Sequence, residues 1–228
     1  PKPDAVVHLG DFDLHRPLSE LLSPELAERF WWIPGNHDFD LEVNYTSLFQ
    51  DRLVTRCLHG RQAEIASRVV AGLGGTFKGR IWYPPAAPKF RNPQEMQQRR
   101  QPSAERTATG AIWPDMVAHL SRQRAEVLVT HEAPSSHHHG FAALDALASD
   151  LGATLIVHGH HHEDYEGVIN GGRTRVLGVG FRGITDQRGS RVVPGALSNQ
   201  TKAKRETPRA AMAAAASGDS EVSPEEPS

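Results

Sequence analysis

Trp31-Trp32-Ile33-Pro34-Gly35-Asn36-His37-Asp38 is an apolar run that stops at a glycine and then presents three polar side chains in succession. Trp-Trp-Ile has the bulky, β-favouring character of a core strand, Pro34 ends ladder pairing, and Gly35 lets the backbone turn sharply or approach another group closely. Asn36, His37 and Asp38 then stand at the carboxyl end of that strand, which in an open α/β sheet is the edge where ligands bind. The same residues could also form a plain polar turn, so the rest of the chain must decide between the two readings.

Working outward, Asp4 to Leu9 forms a short apolar strand that ends in Gly10-Asp11. Ser23-Pro24-Glu25 opens a helix with a serine cap, a proline at the first helical position and an early acid. Strand, helix and strand together make a βαβ unit and favour parallel pairing. Downstream, Asn44 to Asp51 is a weaker helix, and Leu53 to Leu58 and Ser67 to Leu73 are further strands. Phe77 to Tyr83 is extended. Between Pro84 and Gly110 periodicity is lost and Pro, Gln and Arg accumulate, which predicts an exposed basic insertion over 84–110. Pro114 to Arg122 is a helix, Ala125 to Thr130 a strand ending at His131, and Phe141 to Leu151 a helix closed by Gly152. Thr154 to Val157 is a strand that ends in polar residues, and Asn170-Gly171-Gly172 marks a hairpin. Arg191 to Val193 is a last strand. The domain is expected to span 1–195, with 196–228 too polar and too poor in aromatics to order itself.

The chain has 228 residues, 38% of them hydrophobic, which is enough for a core of enzyme size. A net charge of -2 gives no global attraction to nucleic acid or anionic membrane. No run of about eighteen apolar residues exists to cross a bilayer. A single cysteine, Cys57, excludes an internal disulfide and fits a reducing, cytoplasmic setting. Of thirteen histidines, eight lie between His131 and His162. The chain begins at Pro1 and enters a strand almost at once, so the N-terminus is expected to be truncated.

Four strands thus end in residues able to hold metal: Gly10-Asp11, Gly35-Asn36-His37-Asp38, Thr130-His131 and His158-Gly159-His160-His161-His162. Carboxylate, amide oxygen and imidazole suit a borderline divalent ion such as Mn, Fe or Zn, and the lack of a cysteine cluster argues against a thiolate zinc site. In this order the blocks resemble the calcineurin-like metallophosphoesterases, over roughly residues 4 to 180. The resemblance implies a four-layer αββα sandwich of two mixed sheets flanked by helices, and two divalent ions. It implies that Asp11 bridges the ions, that Asn36, His131 and His160 complete one of them, and that His162 serves the other. It makes His37 the catalytic group that contacts the phosphate and protonates the leaving oxygen, with Asp38 as its orienting partner. The family's opening Asp-x-His block has no match upstream of Gly10, so either the chain is a fragment, impaired as it stands, or its site holds one ion.

The function implied is hydrolysis of a phosphomonoester or phosphodiester, with a small-molecule phosphoester or nucleotide as substrate. Two alternatives stand beside it. A nuclease would use the seven basic residues of the segment from Lys78 to Arg106 (Lys78, Arg80, Lys89, Arg91, Arg99, Arg100, Arg106) to grip a nucleic-acid backbone. The other alternative is a catalytically silent protein of the same fold. His137, His138 and His139 are read as a solvated loop, and His158 and His161 as groups that orient ligands or line the cleft.

Overall fold

The computed structural model describes residues 2–99 and 105–197. In chain order the elements are β1 (Val6–His8), α1 (Leu18–Leu21), α2 (Pro24–Ala27), β2 (Phe30–Trp32), α3 (Glu42–Phe49), β3 (Arg61–Ile65), β4 (Arg68–Leu73), α4 (Pro93–Gln98) and α5 (Glu105–Thr109). They continue with α6 (Pro114–Leu120), β5 (Val127–Thr130), α7 (Ala142–Leu151), β6 (Leu155–His158), β7 (Tyr165–Ile169), β8 (Thr174–Gly178), β9 (Ile184–Thr185) and β10 (Arg191–Val193).

Six strands form one mixed sheet in the order β3-β4-β5-β6-β8-β7, parallel from β4 to β8 and antiparallel at both edges. A smaller parallel sheet pairs β1 with β2, Val7 opposite Trp31, and a β9–β10 pair follows. Alternation along each strand decides the layers. Phe30 and Trp32 point outward to pack with Leu18, Ala27 and Leu48 from α1, α2 and α3. Trp31 and Ile33 point the other way, against Val127, Val129, Leu155 and Leu177 of the large sheet. On that sheet's far face Leu128, Ile156 and Val176 meet Leu144, Leu147, Ala148 and Leu151 of α7, together with Leu120 of α6. Helix, sheet, sheet and helix succeed one another, the αββα order expected.

Local signals explain several boundaries. Ser23 Oγ caps α2 by accepting from Leu26 N–H, with Pro24 at the first position. Gly152, at φ 74°, closes α7 in a Schellman arrangement, Ala153 N–H reaching Ala148 O.

Three expectations are corrected. The strand expected at Leu53 to Leu58 is a 3₁₀ turn, Arg52–Arg56, because Asp51 caps it through Leu53 N–H (2.7 Å) and Trp32 Nε1–H donates to Leu53 O (2.9 Å). Phe77 to Tyr83 is turned rather than extended, with Ile81 and Trp82 N–H both returning to Lys78 O. The stretch 84–110 is not wholly exposed, since Phe90 and Met96 are buried with Ile81, Ala111 and Trp113 in a small core. Apart from its first two residues the expected disordered tail lies outside the described residues, as does Arg100 of the insertion. Strands β3 and β9 have no counterpart among the elements expected from sequence.

Candidate metal centre

The carboxyl ends of β1, β2, β5 and β6 converge, and with them Asp11, Asn36, His131 and His160. One ligand atom each from Asp11, His131 and His160 lie within 4.8 Å of one another. Asn36 Oδ1 stands 3.1 Å and Asp11 Oδ2 3.4 Å from His131 Nε2. His131 links the two sheets: its Nδ1–H donates to Leu9 O at 2.7 Å, which leaves the lone pair of Nε2 facing the other two oxygens. With that ring neutral, three acceptors face one another, and they repel unless Nε2 takes up a proton or a cation lies between them. Ligands at about 2.1 Å from one ion are themselves about 3.0–3.4 Å apart, and the spacings found here match the edges of such a polyhedron. The donor set therefore fits a divalent ion.

The backbone is bent to bring this about. Asp11 (φ 58°) and His160 (φ 68°) both occupy the left-handed region, which costs a non-glycine residue about 1–2 kcal/mol. Such outliers concentrate where function over-determines the structure. Gly35 is needed for a different reason: a Cβ there would collide with Asp11 Oδ1 and lie 2.5 Å from His131 Cε1.

Asp38 is fully buried, and its two oxygens accept three backbone N–H groups, from Phe12 (2.7 Å), Gly35 (2.8 Å) and Asp11 (3.0 Å). It clamps the Asp11 loop to the Gly35 loop. Asp38 does not reach the ring of His37, whose Nδ1 instead meets Asp40 Oδ2 at 2.7 Å. This differs from the pairing expected from sequence, because the 3₁₀ turn His37–Phe39 puts the third residue, not the next, beside the ring. His37 is exposed, and its backbone N–H donates to Asp11 Oδ1. His162 falls outside both groups of clustered ligand atoms, with its ring 4.8 Å from that of Phe181.

Charge follows position. Burial works against ionisation of Asp11, but the His131 hydrogen bond and charge and the His37 N–H outweigh it and pull the carboxyl down to about 2. For His131 burial opposes the charged form, yet its hydrogen bond and ion pair with Asp11 raise its pKa above the ordinary value. Burial lowers His160 to about 4, so its ring is neutral at pH 7. The hydrogen bond to Asp40 is the main cause that raises His37.

Glu132 went unnoticed in the sequence, although it directly follows His131. It is buried, accepts from Phe77 N–H (3.2 Å), and burial pushes its carboxyl up to about 7. Lys78, half-buried, feels both Asp40 and Glu132. A cleft of about 380 Å³ opens beside the cluster, walled by Phe77, Tyr83 and Phe141 and floored by Asn36, Glu132 and His160. His138 and His139 are exposed, whereas His137 is buried and stacks on His161 at 4.1 Å.

The family model of the calcineurin-like phosphoesterases matches residues 1–164. An uncharacterized protein of Haemophilus influenzae (strain Rd) is 35% identical over 201 residues, covering 82% of this chain and 84% of that protein. One solved structure matches at TM-score 0.44 and 15% identity, over 66% of this chain and 57% of that one. TT1561 of Thermus thermophilus matches at TM-score 0.39 and 16% identity, over 66% of this chain and 62% of that one. The chain thus spans less than two thirds of either solved relative. The family match takes in the Asp11 loop, Asn36, His131, His160 and His162, and on it the chain belongs to the calcineurin-like phosphoesterase family.

Proposed function

We propose that the protein hydrolyses a phosphomonoester or phosphodiester, with a divalent ion held by Asp11, Asn36, His131 and His160. The observation that carries this reading is the meeting of Asn36 Oδ1, Asp11 Oδ2 and His131 Nε2 at ligand spacing. Mn, Fe or Zn suits the mixed oxygen and nitrogen set. When bound, a divalent ion supplies Lewis-acid stabilisation of phosphoryl charge and a nucleophile drawn from water at neutral pH. Asn36 adds no negative charge, so the centre stays electropositive toward a phosphate.

His37 is the general acid. Its Nδ1 is engaged by Asp40, its ring is exposed, and its raised pKa keeps a protonated population near neutral pH. Asp38 serves by fixing the two loops that carry Asp11 and Asn36, a positioning role. The cleft walled by Phe77, Tyr83 and Phe141 accommodates the leaving group and suits a planar one such as a nucleobase. The nuclease alternative is weakened, because three of those seven basic residues, Arg91, Arg99 and Arg106, are each paired with an acid of the chain itself, Asp115, Glu95 and Glu42.

The test is turnover of an aryl phosphodiester and an aryl phosphomonoester by the purified protein with Mn²⁺. Activity that vanishes in Asn36→Ala and His160→Ala supports the reading. Turnover untouched by both substitutions refutes it.

A further inference from the structure

We propose that Lys78 holds a phosphate oxygen of the substrate and makes the site selective for dianionic phosphomonoesters over singly charged diesters, an inference that rests on the reading of the Asp11 cluster as a phosphoesterase centre. Among the basic residues from Lys78 to Arg106, Arg91, Arg99 and Arg106 are paired with acids, Lys89 Nζ donates to Gly79 O at 2.7 Å, and Arg80 is exposed. Lys78 is half-buried, and among the described residues its ammonium forms no hydrogen bond or ion pair.

The backbone fixes its place beside the cluster. Phe77 N–H is held by Glu132 Oε1 at 3.2 Å, and Lys78 O accepts from Ile81 and Trp82 N–H at 2.7 and 2.8 Å, so the residue is anchored on both sides. The ammonium stands in the fields of Asp40 and Glu132. Each of those acids adjoins a member of the site: Asp40 Oδ2 meets His37 Nδ1 at 2.7 Å, and Glu132 Oε2 lies 3.8 Å from His160 Nε2. Lys78 therefore serves the space between the His37 ring and the floor of the cleft, and neither carboxylate consumes it. A half-buried ammonium without a partner costs stability, because burial removes water that nothing replaces. A ligand that supplies the missing anion accounts for such a charge at this place.

The chemistry of the two ester classes then decides between them. A phosphomonoester carries nearly two negative charges at neutral pH and has three free oxygens, whereas a diester carries one charge and has two. Asp11 offsets part of the charge of a divalent ion, so a further cation at Lys78 favours the ligand with the larger negative charge. Its N–H groups donate to an oxygen that in a diester is esterified.

The experiment compares two substrates with one leaving group, nitrophenyl phosphate and bis(nitrophenyl) phosphate, turned over with Mn²⁺ by the full chain and its Lys78→Met and Lys78→Arg variants. Isothermal titration with inorganic phosphate at about pH 8 reads binding without turnover. The wild type is expected to favour the monoester in kcat/KM. Lys78→Met should lower kcat/KM for the monoester about 10- to 100-fold and weaken phosphate binding about tenfold, with a loss on the diester at least about tenfold smaller than on the monoester. Lys78→Arg, which keeps the charge, should recover most of the monoester rate. A thermal melt checks folding, and Lys78→Gln is judged by the same criteria if Lys78→Met does not fold. Equal losses on both esters, unchanged rates on both, or a wild type that favours the diester would overturn the role of Lys78 and leave the proposed function standing. A wild type that turns over neither ester refutes the proposed function. Phosphate binding then decides for the lysine: a tenfold loss in Lys78→Met supports it as an anion site, and equal binding refutes that too.

Discussion

Replacing Asp38 by asparagine separates two roles that the sequence leaves entangled. In the structure Asp38 Oδ2 accepts from Asp11 and Gly35 N–H, and Oδ1 from Phe12 N–H, all in a fully buried setting. Asparagine has the same shape, and its single oxygen can keep the Asp11 and Gly35 donors. Its amide N–H then confronts the Phe12 N–H, donor against donor. A hydrogen bond to a charged group contributes about 1.5–3 kcal/mol and a stranded buried donor costs about 1–3, so a net loss of roughly 3 kcal/mol is expected. For a chain of this size that lowers Tm by about 6–12 °C. Since the displaced loop carries Asp11, affinity for Mn²⁺ or Co²⁺ should fall about 10- to 100-fold. Differential scanning fluorimetry and a Co²⁺ titration measure the two effects. If Asp38 instead oriented His37, the variant would melt within about 2 °C of the wild type, bind Co²⁺ as before and lose only the histidine-dependent limb of its pH profile. That outcome would refute the clamp.

Other perturbations have equally definite signs. His37→Ala should cost about 10²- to 10⁴-fold with an alkyl leaving group and much less with a nitrophenyl one, which needs no proton; equal losses would exclude a general acid. Because Asp40 raises the His37 pKa, the acid form persists to higher pH and activity declines as pH rises through that raised value, so Asp40→Asn should move the basic limb of the kcat profile to lower pH. Acidification should expel the ion first at His131, whose pKa is raised above 6.5 with the proton on Nε2, and not at His160, which burial holds neutral down to about 4; Co²⁺ absorption against pH reads this directly. Trp32→Ala, which empties a fully buried site and frees Leu53 O, should destabilise the fold by about 3–5 kcal/mol in urea unfolding.

The candidate cluster was legible wherever a buried strand stops and polar residues follow. Asp11, Asn36, His131 and His160 each announce themselves that way, and the structure draws all four together. The layer order was legible too, because Phe30 and Trp32 alternate with Trp31 and Ile33 between two cores. What escaped depends on contacts between distant residues. Leu53-Val54-Thr55 has a β-favouring composition, but the Asp51 cap and the Trp32 indole hold it in a 3₁₀ turn, tertiary context overriding propensity. Phe90 and Met96 lack periodicity because they meet Ile81 and Trp113 across the chain rather than along one element. Asp40 was open to a spacing argument, standing three residues after His37, whereas the burial of Glu132 was not visible in its neighbours.

Gly35 is where the fold and the proposed metal centre compete for the same space. The site needs the Asp11 loop and the His131 ring to close on the same few ångströms of backbone, and no room remains for a methyl group beside Asp11 Oδ1 and His131 Cε1. Gly35→Ala should therefore act unlike an ordinary helix or strand substitution. Its effect on the unfolded chain is slightly favourable, about 0.4–1 kcal/mol of reduced entropy, and the clash must outweigh that gain. The loop can relieve the clash only by moving Asp11 away from His131, so metal affinity should fall by at least about tenfold while Tm drops by a few degrees, and Asn36→Ala should weaken binding without that loss of stability. A Gly35→Ala protein that melts higher than the wild type and still binds Co²⁺ with unchanged affinity would mean that the two loops do not close as tightly as the geometry requires.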